Sequence, residues 1–203
     1  MKLYGMLDSP YVRRVAISLD HYGVAFEHAP LSVFRHFEQF AEVNAVVKAP
    51  TLVLDDGTVL LDSNLILDLF EHQAPTDKRQ LPQAPQERAQ SLRVVGLAMA
   101  ACDKAVQWVY ERELRPPQKQ HEPWRARVTT QVHAACKALQ EEIIAERGVS
   151  AQRLDQASII STIAWTFIQF MASDVIGADD YPQLAAFAAG FEQLPLFKRY
   201  PLE

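Results

Sequence analysis

Apolar positions in the first 73 residues follow two periods, short runs of strand character and stretches that repeat every three or four residues. Lys2-Leu3-Tyr4-Gly5-Met6 reads as a short buried strand. Tyr11 to Tyr22 then places Val12, Val15, Ala16 and Leu19 at helical spacing and stops at Gly23. Val24 to Leu31 reads as a second strand, and the order strand, helix, strand implies a right-handed parallel crossover. Phe34 to Ala45 is a looser helical or loop region. Thr51-Leu52-Val53-Leu54 and Val59-Leu60-Leu61 flank Asp55-Asp56-Gly57-Thr58, an Asp-Gly turn that predicts an antiparallel hairpin. Ser63 is expected to cap a last helix through His72, with Leu65, Ile66, Leu69 and Phe70 as its buried stripe. The predicted order is therefore βαβ, then α, then ββα.

The pattern changes after this point. Pro75, Pro82 and Pro85 each lack a donor and discourage helix at the preceding residue, so residues 76–86 read as an extended linker between a domain at 1–75 and another at 87–203. The second half is rich in Ala, Gln and Leu, has helical period and contains no credible strand. Pro85 to Glu113 reads as a long helix. Another runs from Trp124 to about Arg147 with Val128, Val132, Ala135, Leu139 and Ile143 inward. Leu154 to Ala172 is apolar nearly all round, which predicts the buried central helix of that domain, and Gly177 ends the segment.

Composition removes several function classes. The 203 residues carry 20 Lys plus Arg against 25 Asp plus Glu, a formal charge of −5, with no dense basic run to hold nucleic acid. No stretch approaches the roughly 18 apolar residues of a membrane span, and Asp8 comes too early for a secretory segment, so a cytoplasmic protein is expected. Cys102 and Cys136 lie far apart with no Cys-x-x-Cys, which predicts reduced, packed thiols rather than a redox pair or zinc site. His72 and His133 fall on helix surfaces or ends and His36 in a loop. No metal set is formed, and no metal is expected.

Chemistry is suggested first by Ser9-Pro10. A serine can cap the helix that Pro10 opens, because its oxygen accepts a first-turn N–H and proline has none to leave unpaired. The same helix end favours an anion, such as a thiolate, held nearby.

The predicted strand order, with a proline at the start of the third strand, resembles the thioredoxin fold. The details resemble the glutathione S-transferase family, and the serine-type bacterial members in particular. The likeness is carried by Ser9-Pro10-Tyr11-Val12-Arg13-Arg14, Lys48-Ala49-Pro50-Thr51-Leu52, Leu61-Asp62-Ser63-Asn64-x-Ile66 and the all-helical second half. Tyr110-Glu111-Arg112-Glu113-Leu114-Arg115-Pro116-Pro117 and Leu194-Pro195-Leu196-Phe197-Lys198-Arg199-Tyr200 are also similar to family segments. The fold class implied is an α/β thioredoxin-like domain followed by an all-α domain.

The resemblance implies glutathione as co-substrate, a small electrophile as second substrate, a homodimer, and a cis bond before Pro50 that lets the backbone of Ala49 pair with the cysteinyl unit. It implies glutathione contacts at Ser9, Tyr11, Lys48, Ala49, Pro50, Asp62 and Ser63. Asp62 would take the ligand ammonium, and the first-turn N–H groups beside Ser63 the γ-glutamyl carboxylate. Two departures from the family pattern are Asp155-Gln156-Ala157-Ser158, which reverses the usual capping pair, and Ala49 in place of the usual Val.

Serine at position 9 cannot form a mixed disulfide, so thiol-disulfide exchange through this residue is excluded. Its hydroxyl can donate to a glutathione sulfur and favour the thiolate, which makes Ser9 the expected catalytic residue. Tyr4 and Tyr11 are its rivals for that role. Trp108 and Arg112 on the first long helix are candidates for a wall of the electrophile pocket. Two other activities remain open on this fold, a non-catalytic binding or regulatory protein and a glutathione-dependent peroxide or disulfide reductase.

Overall fold

Leu3 is fully buried between half-buried Lys2 and Tyr4, an alternation that fits a strand with one face on a core. The computed structural model describes residues 1–147 and 153–202. In it β1 (Lys2–Tyr4) is followed by α1 (Pro10–Tyr22), β2 (Glu27–Ala29), α2 (Phe37–Val43), β3 (Thr51–Val53), β4 (Val59–Leu61) and α3 (Ser63–Gln73). Strand order is β2-β1-β3-β4, with β1 parallel to β2 and the other two pairings antiparallel. The expected thioredoxin-like order is thus present. Strands are shorter than the apolar runs that announce them. Gly5 has a φ of +135°, which takes the chain out of β1 before Met6, and only Glu27–Ala29 of the Val24 to Leu31 run lies opposite β1.

The core of this part is formed by α1, α3 and the sheet. Leu3, Val12, Val15, Ala16, Leu19 and Leu52 meet Ile66, Leu67 and Phe70. The stripe of α3 therefore differs from the expected one: Leu67 is buried, Leu69 is only partly so, and Leu65 is 67% exposed. The cap also shifts by one residue. Asp62, not Ser63, is the N-cap of α3, and its Oδ1 accepts the Asn64 N–H at 2.9 Å.

The helical part comprises α4 (Pro85–Glu113), α5 (Glu122–Arg147), α6 (Gln156–Ala172) and α7 (Pro182–Glu192), and a last short helix α8 (Pro195–Lys198) follows. On α4 the buried positions Ser91, Val94, Val95, Ala98, Ala101, Cys102, Ala105, Trp108 and Val109 recur at steps of three and one, a stripe that packs on α5 and α6. On α5, Val128, Val132, Leu139 and Ile143 are buried as expected, but Cys136 takes the place expected of Ala135, which is half-buried. α6 is buried along almost its whole length. Neither cysteine is in a disulfide and both are buried, and burial pushes the Cys136 thiol up to about 12, which keeps it protonated and unreactive. His133 is not a surface group, since its Nδ1 pairs with the Tyr181 hydroxyl at 2.8 Å.

The chain divides into two compact units, Met1–Leu81 together with the stretch from Leu194 onward, and Pro82–Gln193. The boundary lies at Leu81/Pro82, within the segment 76–86 that reads as an extended linker in the sequence. Residues 76–78 form a 3-10 turn, and the buried Glu71 carboxylate accepts the N–H groups of Gln80 and Leu81, both at 2.9 Å. A buried carboxylate requires such donors, so they bind the supposed linker to the first unit. The C-terminal stretch joins the first unit through Arg13, which is 1% exposed and donates from Nε to the Tyr200 carbonyl at 2.7 Å. Arg199 pairs with Asp20 at 2.8 Å, and Tyr200 stacks on Phe26.

The reversed capping pair at the start of α6 works in the order found. Asp155 is 1% exposed, and its Oδ1 accepts the Ser158 N–H at 3.0 Å. Asp155→Ala is expected to cost about 1 kcal/mol from the lost cap. Thermal unfolding of the variant beside wild type measures it, and an unchanged midpoint would show the cap to be dispensable.

Candidate functional site

The strand register brings the three sequence segments to one end of the sheet. Tyr4 lies opposite Thr51, and Thr51 opposite Leu61. The chain therefore leaves β1 toward Ser9, enters β3 from Ala49 and Pro50, and leaves β4 into Asp62 and Ser63 at the same edge. Gly5 marks how close these segments come, because a Cβ placed on it would lie 2.5 Å from Val12 Cγ2 and 3.0 Å from Ala49 Cβ.

Ser9 is the N-cap of α1, with Pro10 as the first helical residue. Its Oγ accepts the Val12 N–H at 3.4 Å, a long contact that leaves the oxygen weakly engaged. No described residue takes the hydroxyl hydrogen. The group is half-buried and can donate to an incoming acceptor. Of its rivals, Tyr4 sits within β1 with the Lys2 ammonium 5.6 Å from its ring centroid, and Tyr11 is half-buried on the first turn of α1.

The Ala49–Pro50 bond is cis. Thr51 fixes the approach to it, donating from Oγ1 to the Lys48 carbonyl at 2.7 Å while accepting from Asn44 Nδ2 at 3.0 Å. Asp62 adopts a φ of +73°, unusual for a residue other than glycine. The cap bond to Asn64 N–H and the Lys48 ammonium 3.4 Å from Oδ2 hold its carboxylate in place. Burial pushes this carboxyl up, but the Asn64 N–H and Lys48 together outweigh burial and hold it below the ordinary range, so it is ionised at neutral pH.

Ser63 is buried, and Arg14 Nη1 donates to its Oγ at 3.2 Å. The same nitrogen donates to Asn64 Oδ1 at 2.7 Å. The sequence reading missed Arg14 and Asn64 as parts of this corner, because only contact across 50 residues of chain joins them. It also missed Asp8, which precedes Ser9 directly. Burial pushes the Asp8 carboxyl up, against the pull of the Arg35 guanidinium and the Ser9 N–H.

Trp108 and Arg112 are brought together, but inside the helical unit. Trp108 is 3% exposed and carries the Arg112 guanidinium over its ring at 4.1 Å. Arg112 is held further by Glu113 at 2.6 Å, Asp174 at 3.2 Å and the Met171 carbonyl at 2.8 Å. With the ring covered and the cation paired, this couple serves packing rather than an open wall for a ligand. Among the described residues no group of three or more His, Cys, Asp or Glu is placed to hold a metal, and no helix is long and apolar enough to cross a membrane.

Comparison with known proteins bears on the same residues. The profile of the glutathione S-transferase N-terminal domain matches residues 3–80. A glutathione transferase family member from Pseudomonas fluorescens Pf-5, solved with bound glutathione, is 32% identical with a TM-score of 0.86, over 98% of this chain and 97% of its own. The chain belongs to the glutathione S-transferase family. The same Pseudomonas protein solved with bound S-(propanoic acid)-glutathione gives a TM-score of 0.83 at the same identity, covering 98% of each chain. YibF, an uncharacterised GST-like protein of Escherichia coli K12, is 27% identical over 84% of this chain and 83% of its own. The thioredoxin-like sheet and the helical region that follows it match the fold of the family.

Proposed function

We propose that the chain is a glutathione transferase that binds reduced glutathione across Ser9, Ala49 and Asp62–Ser63 and activates its thiol for attack on a small electrophile. The observation that carries this reading is the Ser9 hydroxyl, with its hydrogen uncommitted at a helix N-terminus, at the same sheet end as Asp62. The Pseudomonas relative binds glutathione, which supports glutathione as the ligand here.

In this mechanism the thiol gives its proton to solvent, and the Ser9 O–H donates to the resulting sulfur anion. The first-turn peptides of α1 add their partial positive charge. A free thiol with a pKa of about 8.5 to 9 is only a few per cent ionised at pH 7, and a fall of about two units makes thiolate a major species. The thiolate then forms a carbon–sulfur bond with the electrophile and expels the leaving group. Asp62 pairs with the γ-glutamyl ammonium, and Lys48 must release that carboxylate as the ligand arrives. Tyr11 and the Ala49–Pro50 backbone complete the proposed contacts. A cytoplasmic homodimer is the working form that the family resemblance implies.

Binding to immobilised glutathione, followed by a conjugation assay with an aryl halide, tests the reading. Retention with turnover is expected. Absence of both would overturn it in favour of a regulatory or binding role. Reduction of hydroperoxides or small disulfides without aryl-halide conjugation would reassign the chemistry to a reductase.

A further inference from the structure

Arg14 is 3% exposed, lies one turn into α1, and directs its guanidinium at the start of α3. A guanidinium has donors only, so the Ser63 oxygen is an acceptor toward Arg14 and its own hydrogen points away from the cation. The same Nη1 holds Asn64 Oδ1, and the Asn64 backbone N–H in turn holds Asp62 Oδ1. One buried side chain thus fixes both groups that the glutathione reading assigns to the γ-glutamyl end. It also places a permanent positive charge behind a helix N-terminus that already favours an anion.

We propose that Arg14 is a positioning residue that makes this end of the site selective for a carboxylate over a carboxamide. The inference rests on the glutathione reading above. Ser63, locked as a donor, and the first-turn peptides present only N–H and O–H groups to the ligand. A carboxylate matches such a surface with both oxygens. A carboxamide brings an NH2 against it, leaves one donor unmatched and forfeits the attraction of the buried cation. Ser63 is itself 2% exposed, so it relays that charge at a single contact rather than forming a broad face.

Calorimetric titration of glutathione and of its γ-glutamyl α-carboxamide into wild type, Arg14→Gln and Arg14→Lys tests this. Wild type is expected to prefer glutathione by about tenfold or more. Arg14→Gln should remove most of that preference by weakening glutathione while the amide shifts by less than about threefold, and Arg14→Lys, which keeps the charge, should retain part of it. Equal weakening of both ligands, or a lower melting temperature with the preference intact, would show a merely structural arginine and overturn the proposal. Should Arg14→Gln not fold, a crystal of the wild-type glutathione complex decides. A γ-glutamyl carboxylate within about 3 Å of Ser63 Oγ, with Arg14 still donating to that oxygen, supports the proposal, and a carboxylate bound elsewhere ends it. Failure of wild type to bind glutathione overturns the transferase reading as well, whereas binding with an unaltered preference overturns the role of Arg14 alone.

Discussion

Ser9→Ala is expected to lose between about 4-fold and 25-fold in conjugation rate at pH 7 while its glutathione affinity stays within a few-fold of wild type. The upper figure is the fall in ionised thiol when its pKa rises by about two units toward that of a free thiol. The lower figure allows for compensation, because a more basic thiolate is the better nucleophile, with a Brønsted slope of about 0.4 to 0.5. Affinity is spared because the other proposed contacts, at residue 49 and at Asp62, do not pass through the hydroxyl. Folding is spared as well, since the 3.4 Å contact to the Val12 N–H is a poor cap and its loss lies near the low end of about 0.5 to 2 kcal/mol. The distinguishing readout is the pH profile of kcat/KM. Its rising limb should move up by about two units, so that the deficit closes above pH 9. A variant with an unmoved profile would transfer the role to another hydroxyl, and Tyr11 is the next to test.

Gly5→Ala is expected to destabilise the protein by about 3 kcal/mol or more, a midpoint drop of about 6 to 12 °C for a chain of this size. Two costs add. Gly5 has a φ of +135°, which a residue with a Cβ adopts only under strain. The new methyl would also stand 2.5 Å from Val12 Cγ2, which is buried, and 3.0 Å from Ala49 Cβ. Neither neighbour can withdraw cheaply, because Val12 belongs to the α1 core contact and Ala49 packs against that core, with Thr51 holding the carbonyl of the preceding Lys48. Gly57→Ala is the control: its φ is +85°, but nothing lies within 4 Å of the added carbon, so only the backbone cost of about 1 kcal/mol applies. Thermal unfolding of both variants measures the difference. Equal midpoints would mean that the approach of β1 to Val12 and Ala49 is looser than these distances require. Because Val12 and Ala49 flank the site, the surviving folded Gly5→Ala protein should also bind glutathione more weakly.

Much of the fold was legible because its signals are local. Pro10 starts α1, and Gly23, at a φ of +82°, ends it with its N–H on the carbonyls of Asp20 and Leu19. The Asp-Gly turn at 56–57 forms the β3–β4 connection. The long α4 has its expected bounds, Pro85–Glu113, and the buried α6 ends at Ala172 as expected but starts at Gln156 rather than Leu154, because Asp155 caps it. Some of the misses are choices between near-equivalent local options. Either Asp62 or Ser63 is chemically able to cap α3, and a single φ of +73° at Asp62 decided which did. Leu65 and Leu67 are equally apolar, and the face that meets α1 selected Leu67. Helical spacing alone fits Trp108 and Arg112 to a pocket wall or to a core, and Asp174 and the Met171 carbonyl hold the guanidinium within the helical unit.

Chemistry at the N-terminal corner divides along the same line. Ser9 at a helix start, Asp62-Ser63 after a hairpin and the absence of a cysteine at residue 9 were fixed by residue identity and spacing, since caps and turns are made by neighbours in the chain. The folded molecule alone decided that Ala49–Pro50 is cis, that Arg14 reaches Ser63 and Asn64, that Glu71 gathers residues 80 and 81, and that the stretch from Leu194 returns to Arg13 and Asp20. Periodicity states which face of an element is apolar. It does not state which partner that face meets, and buried charges such as Arg13, Arg14 and Glu71 acquire their roles only from the groups that packing brings within hydrogen-bond distance.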